Sequence, residues 1–214
     1  MVLVPNGPTA NLKLLWHDEF GPGVSIDPTK WKMATWKVNN VIPSADNMWL
    51  YDGRLTLNLA SASSGAAVIA AHKLLVGQCV EAKIRFPGSD ATDPVYNFPA
   101  FWTAGIKYPD SGEHDIAEGL GKLKISYWDQ TKTLEYSKVP AGDWNNAYHI
   151  FTLLRHKTDA HVFWDGTEVA HYATNDDGGP QNIILNVGSS PKRVLVTGHA
   201  SRVRAEYVRV WGPA

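Results

Sequence analysis

Three carboxylates fall within six residues in the segment Gly112-Glu113-His114-Asp115-Ile116-Ala117-Glu118-Gly119. In an extended strand successive side chains point to opposite faces, so Glu113 and Asp115 share one face and His114 points the other way. Regular alternation would bring Ala117 next onto that face. One extra residue, a β-bulge, brings Glu118 round instead, and bulges commonly re-aim side chains beside active sites. The stretch then reads as a row of three acids. Crowded like charges do not all stay ionised at low cost, so at least one of the three is expected to have a raised pKa. Such a row offers what glycoside hydrolysis uses: one carboxylate to attack, and one carboxylic acid to protonate the leaving oxygen. The ordinary alternative is three solvated acids on an edge strand.

The elements that must hold this row are short strands. Residues 54–59 alternate without a break behind the turn signal Asp52-Gly53. Residues 67–76 and 78–86 are further strand-like runs. In the second, Val80, Ala82, Ile84 and Phe86 fall on one face, and Glu81, Lys83 and Arg85 on the other. Residues 87–97 read as a loop, and 98–102 open the next strand. After the acidic row come strand candidates at 122–128, 147–156, 159–165, 168–173, 182–188, 192–196 and 202–211. In the last of these the alternation slips at Val208, which predicts a second bulge. Asp27 and Pro28 read as the N-cap and first position of a brief helical turn. No segment holds a 3.6-residue apolar period long enough for a substantial helix. The pattern predicts an all-β fold, a sandwich or jelly roll of two antiparallel sheets. Residues 1–12 read as a flexible lead and 13–214 as a single domain.

Composition narrows the function classes. A net charge of -1 and a pI near 6.7 give no electrostatic case for nucleic acid or an anionic membrane. No stretch approaches a membrane span, so no membrane insertion is expected. The nine tryptophans and eight tyrosines exceed what a core of this size needs, and stacking on apolar sugar faces is one use for the surplus. Cys79 is the single cysteine, so no intrachain disulfide forms, and it reads as a small core residue. The first residues, MVLVPNGPTANLK, lack the apolar stretch of a signal peptide. An extracellular or virion-associated protein then leaves the cell by another route, or has its export signal elsewhere.

The histidines point to no metal. His114 faces away from both neighbouring acids. His17, His72, His149, His156, His161, His171 and His199 show no ligand spacing of the zinc type. His156 and His161 lie across an expected hairpin turn and read as surface residues. The basic group Lys192, Arg193, Arg202, Arg204 and Arg209 reads as the wet face of terminal strands. No phosphate loop and no nucleophile elbow is present.

With its flanks, Glu113-x-Asp115-x-x-Glu118 resembles the catalytic signature of glycoside hydrolase family 16 in its bulged form, that of the laminarinase, agarase and carrageenase branches. Trp16-His17-Asp18-Glu19-Phe20, Asp27-Pro28-Thr29-Lys30-Trp31 and Asp52-Gly53-Arg54-Leu55 are similar to the opening blocks of that family. Glu81 to Pro87 and Phe98-Pro99-Ala100-Phe101-Trp102 are similar to its central blocks. Tyr148-His149, Asp165-Gly166, residues 182–188 and Tyr207 to Trp211 follow in the family's order. The resemblance runs from about residue 13 to the last strand. It implies a β-jelly roll with a concave cleft for a polysaccharide, Glu113 as nucleophile, Glu118 as general acid/base and Asp115 assisting between them. It further implies substrate contacts from Asn47, Trp102 and Lys83, the last at a position where an arginine is usual. Trp128 joins them, in a strand where laminarinase-like members carry a histidine. No cofactor is implied for catalysis. A structural calcium ion near Glu206 and Gly53 is a family feature to be tested, and a monomer is expected.

The activity expected from the resemblance is a retaining endo-glycosidase acting on a β-glucan or galactan. Two alternatives remain at this level: a catalytically silent, carbohydrate-binding jelly roll, and a transglycosylase using the same carboxylates.

Overall fold

The computed structural model describes residues 7–88 and 95–213; residues 1–6, 89–94 and 214, which include parts of the expected lead and of the 87–97 loop, lie outside them. The described residues form strands β1 (Lys13–Asp18), β2 (Trp31–Met33), β3 (Ile42–Pro43), β4 (Met48–Tyr51), β5 (Arg54–Leu57), β6 (Ser64–Leu74), β7 (Cys79–Arg85) and β8 (Phe98–Gly105). They continue with β9 (Glu113–Leu120), β10 (Lys122–Trp128), β11 (Leu134–Lys138), β12 (Tyr148–Arg155), β13 (Asp159–Trp164), β14 (Thr167–Ala173), β15 (Gln181–Gly188) and β16 (Val203–Gly212). Among the described residues, helix is limited to three short 3-10 turns, and no helix is long and apolar enough to cross a membrane.

Two sheets carry the fold. One has the order β14-β13-β12-β7-β16-β5-β4, with β1 also paired to β16. The other has the order β11-β10-β9-β8-β15-β6-β2, with β3 added in parallel to β6. Every other strand pairing among the described residues is antiparallel, as expected for a jelly-roll sandwich. The core lies between the sheets. Val80, Ala82, Ile84 and Phe86 of the 78–86 run are fully buried, in one apolar cluster with Phe101, Ile116, Ile125 and Leu185 of the opposite sheet. Alternation alone selected that face, because each buried side chain of this size contributes about 1.5–3 kcal/mol relative to leaving it in water.

Turn chemistry sets the register. Asp52 and Gly53 have φ of 52° and 65°, and Asp165 and Gly166 have 46° and 77°. Both pairs join adjacent strands through turns that need two left-handed residues, which is why Asp-Gly is used. The family-like blocks near the N-terminus are structural ties. Trp31 Nε1 donates to Asp18 Oδ2 at 2.8 Å, and the Phe20 amide donates to Asp18 Oδ1 at 3.1 Å. Asp27 takes the Thr29 amide at 2.8 Å and starts the brief turn expected there.

Several expectations are corrected. Residues 192–196 are not a strand. Asn97 accepts from the Val196 amide at 3.0 Å and donates to the Val196 carbonyl at 2.8 Å, so one side chain takes both backbone groups a neighbouring strand would need. Val194 and Leu195 are left exposed. Part of the lead folds as well: Gly7–Thr9 form a 3-10 turn with Thr9 buried. The slip in the last strand is present, between Ala205 and Tyr207 opposite β7.

Candidate active site

The acidic row lies on β9, third from the edge of its sheet, between β8 and β10. Against β10, Asp115 pairs with Ser126 and Glu118 with Lys124, so Ile116 and Ala117 together oppose the single residue Ile125. Against β8, Asp115 pairs with Trp102 and Ala117 with Phe101. Ile116 is therefore the extra residue of a bulge, and both Ile116 and Ala117 sit in the core. Glu118 is thereby returned to the face of Glu113 and Asp115. All three acids line one cleft of ≈ 160 Å³ together with Trp36, Lys37, Val38, Asn39, Ala100 and Trp102.

A bulge interrupts the ladder, so its backbone needs partners from elsewhere. Trp164, fully buried on β13 of the opposite sheet, donates its indole N–H to the Ile116 carbonyl at 3.1 Å. Trp164→Phe keeps most of the buried volume but orphans that carbonyl, and is expected to cost about 1–3 kcal/mol in a denaturant melt. A variant as stable as the wild type would show that the bulge does not depend on this bond.

Behind the row, on the core side, His114 is fully buried. Its ring stacks on Tyr127 at 4.8 Å and Tyr172 at 5.9 Å, and Nδ1 lies 3.0 Å from the Tyr172 hydroxyl. Burial and the Arg155 cation push its pKa down to about 3, so the imidazole is neutral. Arg155 is itself fixed by Asp176 at 3.0 Å and the Gly179 carbonyl at 2.7 Å. The sequence reading placed His114 on this far face, and it contributes packing to the strand rather than a group to the cleft.

The electrostatics of the row are those of crowded, partly desolvated acids. Burial, then the nearby Glu118 charge, raises Glu113 to about 7. Asp115 is raised well above the usual carboxylate range by burial and by both glutamates; Lys124 and a hydrogen bond from Trp128 offset only part of that. Glu118 is also raised by burial, and Lys124, with Nζ 3.3 Å from Oε2, opposes the rise. Asp115 Oδ2 and Ser126 Oγ, on directly paired residues, are buried and have no hydrogen-bond partner among the described residues.

The cleft wall opposite the acids is a hairpin that the sequence reading missed. Val38 and Val41 exchange both backbone hydrogen bonds around Asn39 and Asn40, whose φ values are 44° and 67°. The Asn39 carbonyl accepts from the Ser189 amide at 2.9 Å, and Asn40 Nδ2 donates to the Ser189 carbonyl at 3.0 Å. Gly188 allows this approach, since a Cβ there would lie 2.4 Å from the Asn39 carbonyl oxygen. The tie seats Trp36, Lys37 and Asn39 over the acids. An Asn-Asn pair after a tryptophan was the available signal.

Of the substrate residues implied by resemblance, Trp102 lines the cleft, its indole donating to Asn186 Oδ1 at 2.8 Å. Trp128, paired with Glu113, reaches Asp115. Asn47 is buried away from the cleft lining, donating to Ser64 Oγ at 3.0 Å and to the Gly65 carbonyl at 3.1 Å. Asn39, not Asn47, is the asparagine on the cleft. Lys83 belongs to the other sheet, where it pairs with Glu206 at 2.7 Å and does not line the cleft. Alternation turns Lys83 to the outer face of that sheet, opposite to Ala82 and Ile84. Glu206 has its other oxygen on Arg54 at 3.3 Å. A carboxylate held between two cations does not fit a calcium site, which collects oxygen ligands.

Comparison with protein-family models finds no match, and comparison with curated proteins finds none either. Solved structures do match. An endo-β-1,3-glucanase from Pyrococcus furiosus is 20% identical with a TM-score of 0.74, covering 94% of each chain. SCLam, a non-specific endo-β-1,3(4)-glucanase from glycoside hydrolase family 16, is 19% identical with a TM-score of 0.79, over 100% of this chain and 94% of its own. Porphyranase B from Zobellia galactanivorans is 16% identical with a TM-score of 0.77, over 94% of this chain and 92% of its own. The chain has the jelly-roll fold of these glycoside hydrolases.

Proposed function

We propose that this protein is a retaining, endo-acting glycosidase that cleaves internal β-linkages of a glucan or galactan by double displacement. The observation that carries the reading is the bulge at Ile116, which puts Glu113, Asp115 and Glu118 on one cleft face while the strand stays packed behind them. The reaction runs from the state in which the crowded pair's proton sits on Glu118 and Glu113 is ionised: Glu113 attacks the anomeric carbon, and Glu118 gives its proton to the departing sugar oxygen as that C–O bond breaks. Glu118, now a carboxylate next to Lys124, takes a proton from water, which attacks the glycosyl-enzyme and releases Glu113. Burial and both glutamates push Asp115, the most deeply buried of the three, toward its protonated form, which lessens the like charge between the two glutamates. Trp36 and Trp102, both on the cleft lining, are the aromatic rings available to stack on sugars. Glycan-active neighbours of the same fold support a polysaccharide as substrate. A polymer of that kind does not cross a membrane, so the reading carries an extracellular or virion-associated place of action.

The test is release of reducing ends from laminarin, mixed-linkage glucan, agarose, carrageenan and arabinogalactan, with Glu113→Gln beside the wild type. Sugar release by the wild type alone is expected on one of them. Binding to a glycan with no release would replace the reading by a carbohydrate-binding jelly roll. Products longer than the substrate at high sugar concentration would make it a transglycosylase.

A further inference from the structure

Far from the acidic row, on the outer face of the other sheet, the β12–β13 hairpin and β14 bring three imidazoles and two carboxylates together. His156 follows β12 in the turn, Asp159 and His161 alternate along β13, and His171 stands directly across from His161 on β14. One potential donor atom each from His156, Asp159 and His161 lie within 4.8 Å of one another, and so do those of His161, Glu168 and His171. His161 belongs to both sets. His156 and His161 face each other across the expected hairpin turn, where the sequence pattern reads them as surface residues, and His171 joins them only in the folded sheet.

The ring geometry separates the two sets. His161 and His171 are stacked with centroids 4.0 Å apart and planes only 11° apart. Imidazole lone pairs lie in the ring plane, so two parallel rings aim theirs side by side and do not converge on one ion. His156 and His161 are 5.7 Å apart at 90°, an arrangement that lets two lone pairs meet. Asp159 Oδ1 lies 3.6 Å from His161 Nε2 and is buried with no hydrogen-bond partner among the described residues. A buried carboxylate oxygen without a donor is costly unless something cationic or protic satisfies it. On the other side of the same ring, His161 Nδ1 is 3.4 Å from Glu168 Oε2. A ligating histidine commonly donates its second N–H to a carboxylate, which fixes the tautomer and the ring orientation.

We propose that His156, Asp159 and His161 form a binding site for a divalent transition-metal ion of the zinc class, with His161 bound through Nε2, Glu168 holding its Nδ1–H, and His171 serving as the stacking platform. The donor set, two imidazole nitrogens and one carboxylate oxygen, suits Zn²⁺ and the neighbouring ions Ni²⁺ and Cu²⁺ rather than Ca²⁺ or Mg²⁺. Metal–ligand bonds of 2.0–2.1 Å place tetrahedral donors about 3.3 Å apart, so the set closes by roughly 1.5 Å at most. His156 is exposed at a turn and free to make that movement, while His161 is held by its stack. Water completes the coordination. The site clips the turn end of the β12–β13 hairpin and is independent of the glycosidase reading.

Titration of the tag-free protein, freed of metal by chelator and dialysis, with Zn²⁺ in a calorimeter tests the proposal. One equivalent per chain is expected to bind. His156→Gln and His161→Ala should each weaken binding at least a hundredfold, Glu168→Gln about tenfold or more, and His171→Phe less than threefold. His156 is exposed, so its variant folds and reports on binding alone. Absence of saturable binding of Zn²⁺, Ni²⁺ and Cu²⁺ to the wild type overturns the proposal. So does loss of binding in His171→Phe with retention in His156→Gln, which would move the ion to the stacked pair.

Discussion

Glu113→Gly is expected to lower turnover on the cleaved glycan by roughly 10⁴-fold or more, because the proposed nucleophile is part of a unit that fails together. Glu118→Ala should lose about 10²–10⁴-fold, the usual contribution of a positioned general acid. Azide separates the two roles with an activated aryl glycoside. In Glu113→Gly the anion fits the space left by the carboxylate, attacks from the same side and gives a glycosyl azide of inverted configuration. In Glu118→Ala an activated leaving group departs without a proton, the glycosyl-enzyme forms on Glu113, and azide entering from the opposite side gives net retention. Exchange of the two stereochemical outcomes would reverse the assignment of the glutamates. Wild-type turnover in either variant would remove that residue from the mechanism.

Much of this site was legible because its geometry is local. Glu113, Asp115 and Glu118 lie on one strand, and a period of two with one slip is enough to align them. The core face of β7 was legible for the same reason. What escaped reading depends on contacts between distant segments. The Asn39-Asn40 hairpin reaches the cleft only because Ser189 and Gly188 receive it. Lys83 lies on the sheet away from the acids because β7 pairs with β12 and β16, long-range pairings that a resemblance along the chain does not reveal. The strand expected at 192–196 was overruled by a single asparagine side chain from almost a hundred residues earlier. Lys124 sat in plain view, but its distance to Glu118 follows from register across the bulge, which no single strand reveals.

The crowding of the row should also make it a source of instability at neutral pH. Glu113 titrates at about 7 in the folded chain against an ordinary 4.5. Between those values the folded state binds more protons than the unfolded one, so this residue's contribution is fully present below pH 4.5 and is lost as pH rises through 7. His114 has the opposite sign: its folded pKa of about 3 lies below the ordinary 6.5, so stability is lost as pH falls between them. In the overlap from pH 4.5 to 6.5 the two slopes oppose each other, and the wild type should show a shallow stability profile there. Glu113→Gln removes one of them. The amide is nearly isosteric and cannot ionise, and it takes one like charge away from Asp115 as well. Urea melts should find the variant equal to the wild type at pH 4 and about 2–3 kcal/mol more stable at pH 8. The slope on the acid side, now set by His114 alone, should steepen. A gain of the same size at both pH values would mean better packing rather than relief of charge. No gain at pH 8 would mean that the cleft is wetter, and Glu113 more ordinary, than its burial between Asp115 and Trp128 implies.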